Sequence, residues 1–201
     1  MESSGSSCGA NLMQMRTVQI VPYQPDWPAA FRAEQQALMA ALDGPVIGLH
    51  HIGSTAVPGL AAKPILDLLL VVTDLALLDA QSASLTALGY VAKGENGIPG
   101  RRYFCKGGAQ RSHHLHAFTP QAPQILQHLA FRDCLRNHPE TATAYAALKT
   151  QLARQYPQDP ARYQAGKAEF IQQLLQQTGL LPDAQYEDKG GNHCIAAQSP
   201  G

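Results

Sequence analysis

Apolar positions in this chain change period several times, and the changes mark out its elements. From Trp27 to Leu42, Trp27, Phe31, Leu38 and Leu42 fall on one helical face, with Asp26 placed to cap the start and Gly44 to stop the end. Val46–His51 and Ile65–Val72 are short apolar runs, the second nearly continuous, as in a strand buried on both faces. Asp74 then offers an N-cap to a helix running through Leu75, Leu78, Leu85 and Leu88 and ended by Gly89. Tyr90–Lys93, Arg101–Lys106 and His113–Phe118 read as three shorter strands, separated by the glycine-rich loop 94–100 and a Lys106-Gly-Gly108 turn.

After Pro120 the pattern is helical over 123–137, 140–155 and 160–177, divided at His138-Pro139 and at Asp159-Pro160, where a cap precedes a first-turn proline. The expectation is one α+β domain over 16–179: a mixed sheet flanked by helices, with a helical C-terminal third. Residues 1–15 and 180–201, rich in Ser, Gly and polar residues, are expected to be disordered tails.

Composition narrows the function. Fifteen basic against fifteen acidic residues, with a pI near 7.1, argue against general nucleic-acid binding. No apolar run reaches membrane-span length, and the first fifteen residues lack the apolar core of a secretory signal. Cys8, Cys105, Cys134 and Cys194 form no Cys-x-x-Cys pair, so reduced thiols and a cytoplasmic location are expected.

Chemistry concentrates between His51 and Asp67. A Gly53-Ser54-Thr55 turn leaving a strand offers backbone N–H groups and a hydroxyl to a phosphate, or serves as an ordinary cap. Asp67, inside Ile65–Val72, is costly to bury unless it binds metal or pairs with Lys63 or an arginine. His114 and His116, two apart in a strand, project to one face with Phe118, and His113 to the other. His114 and His116 are either metal ligands or histidines hydrogen-bonded to Asp67, to phosphates or to water.

Of the Arg101-Arg102 pair, alternation towards Phe104 favours Arg102 as the phosphate contact, the alternative being that both are exposed and solvated. Arg132 either reaches back over the sheet or pairs internally with Asp133 or another acid. His51, beside the turn, is either a phosphate contact and proton carrier or a partner that fixes the turn. Lys149, Arg154 and Lys167 read as solvated helix charges, and Trp27 and Phe31 as core.

The stretch His51–Asp67, Gly97-Ile-Pro-Gly-Arg-Arg102, His114-Leu-His116, His128-Leu-Ala-Phe-Arg-Asp133 and His138-Pro-Glu140 together resemble the GrpB family, over Val18 to Gln177. The resemblance implies a nucleotidyltransferase-superfamily fold. Polymerase-like members of that superfamily carry Asp-x-Asp where this chain has Asp67 and then Leu69, which cannot bind metal, and place a third carboxylate on a later strand. If the strand 113–118 takes that place, the resemblance implies a mixed O/N site of Asp67, His114 and His116 for a divalent ion, better for Mn²⁺ or Zn²⁺ than Mg²⁺. Three functions follow as expectations: a metal-dependent nucleotidyltransferase with an unassigned acceptor, a degenerate binder of a nucleotide or CoA-like ligand, or a protein-interaction domain. Some relatives are fused to dephospho-CoA kinase domains, but this chain lacks a GxxxxGK[ST] loop and is not itself such a kinase.

Overall fold

A computed structural model of the chain describes residues 17–179; both expected tails lie essentially outside the described residues. Helix α1 (Trp27–Ala41) leads into β1 (Val46–Ile52), a 3-10 turn (Ser54–Ala56) and β2 (Leu66–Val72). Helices α2 (Leu75–Ala80) and α3 (Ser82–Ala87) follow, then β3 (Tyr90–Ala92), β4 (Arg102–Lys106) and β5 (His113–Phe118). The described residues finish with α4 (Pro123–Asn137), α5 (Pro139–Gln155), α6 (Pro160–Ala165) and α7 (Ala168–Gln177).

The five strands form one mixed sheet in the order β1-β2-β5-β4-β3, in which β2 and β5 run parallel and the other neighbours antiparallel. The mixed α+β architecture is therefore the expected one. Two expected helices are each split in two. The first breaks at Gln81, whose side chain accepts from Asp43 N at 2.7 Å and donates to Asp43 O at 2.8 Å, anchoring the turn after α1. The second breaks at Gly166-Lys167. Asp74 and Asp159 do cap, accepting from Ala76 N and Arg162 N. Asp26 makes no side-chain cap; a proline in the first turn starts α1 instead.

Strand parity decides what each face carries. Leu66, Leu68, Leu70 and Val72 of β2 join Leu115 and Ala117 of β5 and Phe104 of β4 in the main core under α1, α2 and α3. On this face His113 turns from the site toward buried Glu34, which Lys106 Nζ also meets at 2.8 Å. The other face holds Leu69, Val71 and Phe118, packed on Ile52 and Ile125 below α4. Asp67, His114 and His116 lie along the same face, where β2 and β5 pair Asp67 with His114 and Leu69 with His116. The C-terminal helices then pack Tyr145, Leu135 and Leu174 against Val57 and Leu60, just beyond the 3-10 turn. Helices from the chain's last third are thereby brought over the open end of the Asp67 face.

Candidate functional site

A cleft of about 540 Å³ lies between that sheet face, the turn after β1 and helices α4–α7. Its floor is Asp67. Asp67 Oδ1 lies 2.9 Å from His114 Nδ1. Burial pushes the Asp67 carboxyl up, but the His114 hydrogen bond and electrostatic interactions with His114, His116 and Lys63 outweigh it, holding the group at about 2. An ionised carboxylate can only accept, so the proton of this bond sits on Nδ1. His114 lines the cleft, and its Nε2 has no protein partner among the described residues.

Gly53 makes this floor possible. Its φ of +69° is in the left-handed region, and a Cβ there would lie 2.5 Å from Asp67 Oδ2. Gly53→Ala therefore should cost about 3 kcal/mol, combining backbone strain with displacement of Asp67. Thermal unfolding should show a midpoint lower by roughly 6–10 °C for a domain of this size. A drop under 1 °C would mean that the turn relaxes freely.

Cations ring the floor. Lys149 of α5 is 2% exposed, and its ammonium donates to Ser54 Oγ at 2.9 Å and Ala61 O at 2.5 Å, over the Tyr145 ring. Lys167, 8% exposed, and Lys63 both sit over the Tyr163 ring, at 4.7 and 5.0 Å from its centroid. Among the described residues, none of these three lysines lies within 4 Å of a carboxylate. Burial, with Lys167 nearby, lowers Lys149 to about 7; burial, with Lys63 nearby, lowers Lys167 to about 8. Burial also lowers Lys63, against the pull of Asp67. Four cations, Lys63, Arg101, Lys149 and Lys167, thus line a cleft whose one carboxylate among the described residues is Asp67. A buried ammonium held only by neutral oxygens is costly unless an anion joins it.

The expected Arg102 contact is corrected. Arg102 lies on the opposite sheet face, where it makes a two-pronged ion pair with Asp79 of α2 at 2.8–2.9 Å. Alternation was the right rule but Phe104 was the wrong reference, because Phe104 faces the main core while Tyr103, opposite His116, faces the cleft. Arg101 enters instead. It is 6% exposed, donates to Glu95 O and Asn96 O at 3.0 and 2.7 Å, and brings Nη1 to 3.4 Å from His116 Nδ1. His116 is lowered to about 3 by burial, so it stands neutral between Arg101, Tyr103 and His128.

His51 and Arg132 stand behind the turn, away from the cleft. His51 Nε2 meets Thr55 Oγ1 at 3.0 Å, its ring stacks on Phe31 at 4.8 Å, and burial lowers it to about 4. Arg132 donates to His51 O at 3.1 Å and pairs with Asp133 at 2.7 Å. Arg136 grips Ala56 O with two donors, at 2.7 and 2.9 Å. These residues hold the shape of the turn, whereas Gly53, Ser54, Thr55 and Lys63 line the cleft.

The expected Asp67-His114-His116 metal trio does not fit this arrangement. His114 and His116 have ring centroids 6.5 Å apart at 87°, His116 Nδ1 faces a guanidinium, and His114 Nδ1 is engaged by Asp67. Among the described residues no group of three or more His, Cys, Asp or Glu side chains is placed to hold a metal ion. Leu69, where a second carboxylate would be expected, is wholly buried with Ile52, Val71 and Phe118.

Lys149, Lys167, Tyr145 and Tyr163 were not anticipated in the sequence as site residues. One trace of Lys149 was available: Tyr145, Lys149 and Leu152 fall on one face of α5, all three buried. A lysine inside an apolar stripe is the departure that needed explaining.

Comparison with known proteins places the chain. The model of the family described as "GrpB protein" matches residues 17–177. The UPF0157 protein YqkA of Bacillus subtilis (strain 168) is 45% identical over 161 residues, 80% of this chain and 47% of that protein. A UPF0157 protein of Pseudomonas aeruginosa, PA4798, is 44% identical over 162 residues, 79% of this chain and 66% of its own length. The chain thus spans about half to two thirds of these two relatives. The crystal structure of the conserved protein GrpB from Enterococcus faecalis superposes with a TM-score of 0.75 at 39% identity, covering 80% of this chain and 99% of that one. Sequence and architecture agree: this chain belongs to the GrpB family.

Proposed function

We propose that the cleft binds the phosphates of a nucleotide or CoA-like small molecule, and that it transfers a nucleotidyl group to an acceptor hydroxyl. The observation carrying this reading is the set of three lysines lining the cleft without a carboxylate partner among the described residues, two of them buried and one, Lys149, donating to Ser54 Oγ. Phosphate oxygens would take the place that the missing counter-ions leave, with Ser54 Oγ and the N–H groups of the turn completing the contacts.

The Asp67–His114 pair is the group able to move a proton. Asp67 fixes the Nδ1–H tautomer, so Nε2 can take the proton of an acceptor hydroxyl. The acceptor oxygen would then bond to the α-phosphorus while the bond to the pyrophosphate oxygen breaks, and the lysines would neutralise the charge on the leaving group. Leu69 favours a second reading, a binding module without transfer, since it removes a carboxylate that two-metal transfer uses. Among the described residues no helix is long and apolar enough to cross a membrane, and a nucleotide ligand accords with a cytoplasmic location.

Thermal unfolding of the full chain with millimolar ATP, GTP, CTP or CoA tests the binding. At a hundredfold excess over Kd, a ligand should stabilise by about 2.7 kcal/mol, a shift of several degrees. Indifference to all four would sink the proposal. Pyrophosphate release on adding candidate acceptors separates the transferase from the binding module.

A further inference from the structure

The phosphate reading leaves open how the charge of a polyphosphate is met, and the cleft carries an answer. In polymerase-like transferases two carboxylates on one strand hold two metal ions, and those ions neutralise the phosphates. Here that apparatus is displaced residue by residue. Leu69 is sealed into an apolar cluster. Asp67 has one oxygen on His114 and the other packed against Gly53. His116 turns Nδ1 toward Arg101. Four basic side chains stand around Asp67, the one carboxylate lining the cleft among the described residues, and a divalent ion would add positive charge beside them.

We infer, building on the phosphate reading, that Lys63, Lys149 and Lys167 with Arg101 do the work of the divalent ions, so that the cleft takes its polyphosphate ligand in the metal-free form. Lys63 is the pivotal residue. It lies close enough to Asp67 for each to influence the other's charge, yet the two are not an ion pair, and its ammonium rests on the Tyr163 ring beside Lys167. A phosphate entering the cleft would meet two ammoniums that share the Tyr163 ring, with Lys149 completing the set at Ser54. A Mg²⁺-chelated polyphosphate would arrive with part of its charge already cancelled and would match this array less well.

The test is calorimetric titration of the full chain with inorganic tripolyphosphate and with ATP, at matched ionic strength, in EDTA and in excess Mg²⁺ or Mn²⁺. Binding should be present in EDTA, and metal should weaken it, by roughly tenfold if the lysines discriminate by charge alone. Lys63→Met should lose most of the affinity measured in EDTA while keeping the wild-type circular dichroism spectrum. Binding that needs metal, or is tighter with it, overturns the inference and leaves the phosphate reading standing. Binding in neither condition removes both. An unchanged affinity in Lys63→Met overturns the role given to that lysine.

Discussion

Lys149→Met should yield a protein that is more stable than the wild type and unable to hold its ligand. The two effects share one cause. Lys149 is almost fully buried, held by Ser54 Oγ, Ala61 O and the Tyr145 ring, with no carboxylate within ion-pair distance among the described residues. Moving its ammonium from an ordinary 10.5 to about 7 corresponds to a folding penalty on the order of 4–5 kcal/mol in the charged state. Methionine fills a similar volume without that penalty, at the loss of two hydrogen bonds worth roughly 1 kcal/mol each. The balance favours Lys149→Met by about 2 kcal/mol, or roughly 4–8 °C in unfolding midpoint near pH 7. Ligand affinity should fall about a hundredfold, because a charge-assisted contact to a phosphate is removed from a dry position.

Dependence on pH separates this account from simple repacking. Between about 7 and 10.5 the unfolded chain keeps a proton on this lysine that the folded chain has released. The unfolded state therefore binds more protons, and raising the pH through that window stabilises the wild-type fold. Lys149→Met should flatten the rise, with the part due to Lys167, lowered to about 8, remaining. Unfolding midpoints of both proteins from pH 7 to 10 measure this directly. Parallel curves would show that burial of the Lys149 charge is not what limits stability.

Asp67→Asn should have the opposite profile: ligand held, transfer ended. Asparagine keeps the shape of the floor but loses the charge that fixes the His114 tautomer and supports a proton on its ring. A loss of roughly a thousandfold or more in pyrophosphate release is expected, by analogy with other carboxylate–histidine pairs. Binding should hold or tighten, because Asp67 is the lone carboxylate of the cleft among the described residues and repels an entering phosphate. Loss of binding in Asp67→Asn would instead point to a metal bridging Asp67 and the ligand. Near wild-type release would remove the Asp67–His114 pair from the mechanism.

Much of the architecture could be read along the chain because its cues are local. His113–Phe118 and 123–137 emerged with the expected limits, and β1 and β2 within one residue, since apolar period and proline or glycine punctuation act over a few residues. The breaks at Gln81 and Gly166 were less visible. The first is anchored by contacts with Asp43, distant in sequence, and the second sets Gly166 against Leu152, where a Cβ would come within 2.5 Å of the leucine side chain. Asp67, His114 and His116 stood out in the sequence because polar groups interrupting apolar strands need a reason, and Gly53, Ser54 and Thr55 because a Gly-Ser-Thr turn leaves a strand; all line one cleft with Lys63.

Other features waited for the tertiary structure. Which of Arg101 and Arg102 enters the cleft depends on the pairing of β4 with β5, and a shift of one residue exchanges the two faces. Whether Asp67, His114 and His116 gather as metal ligands or link through a hydrogen bond depends on side-chain directions that spacing alone leaves open. Lys149 lies 95 residues from Ser54 in the chain, and only the packing of α5 behind the turn brings them to 2.9 Å. The local pattern thus settled most strands and helices and the Gly-Ser-Thr turn after β1, each stabilised by near neighbours. Three-dimensional packing decided which basic groups line the cleft, because burial of Lys149 and Lys167 without an ion-pair partner among the described residues is a property of the whole fold.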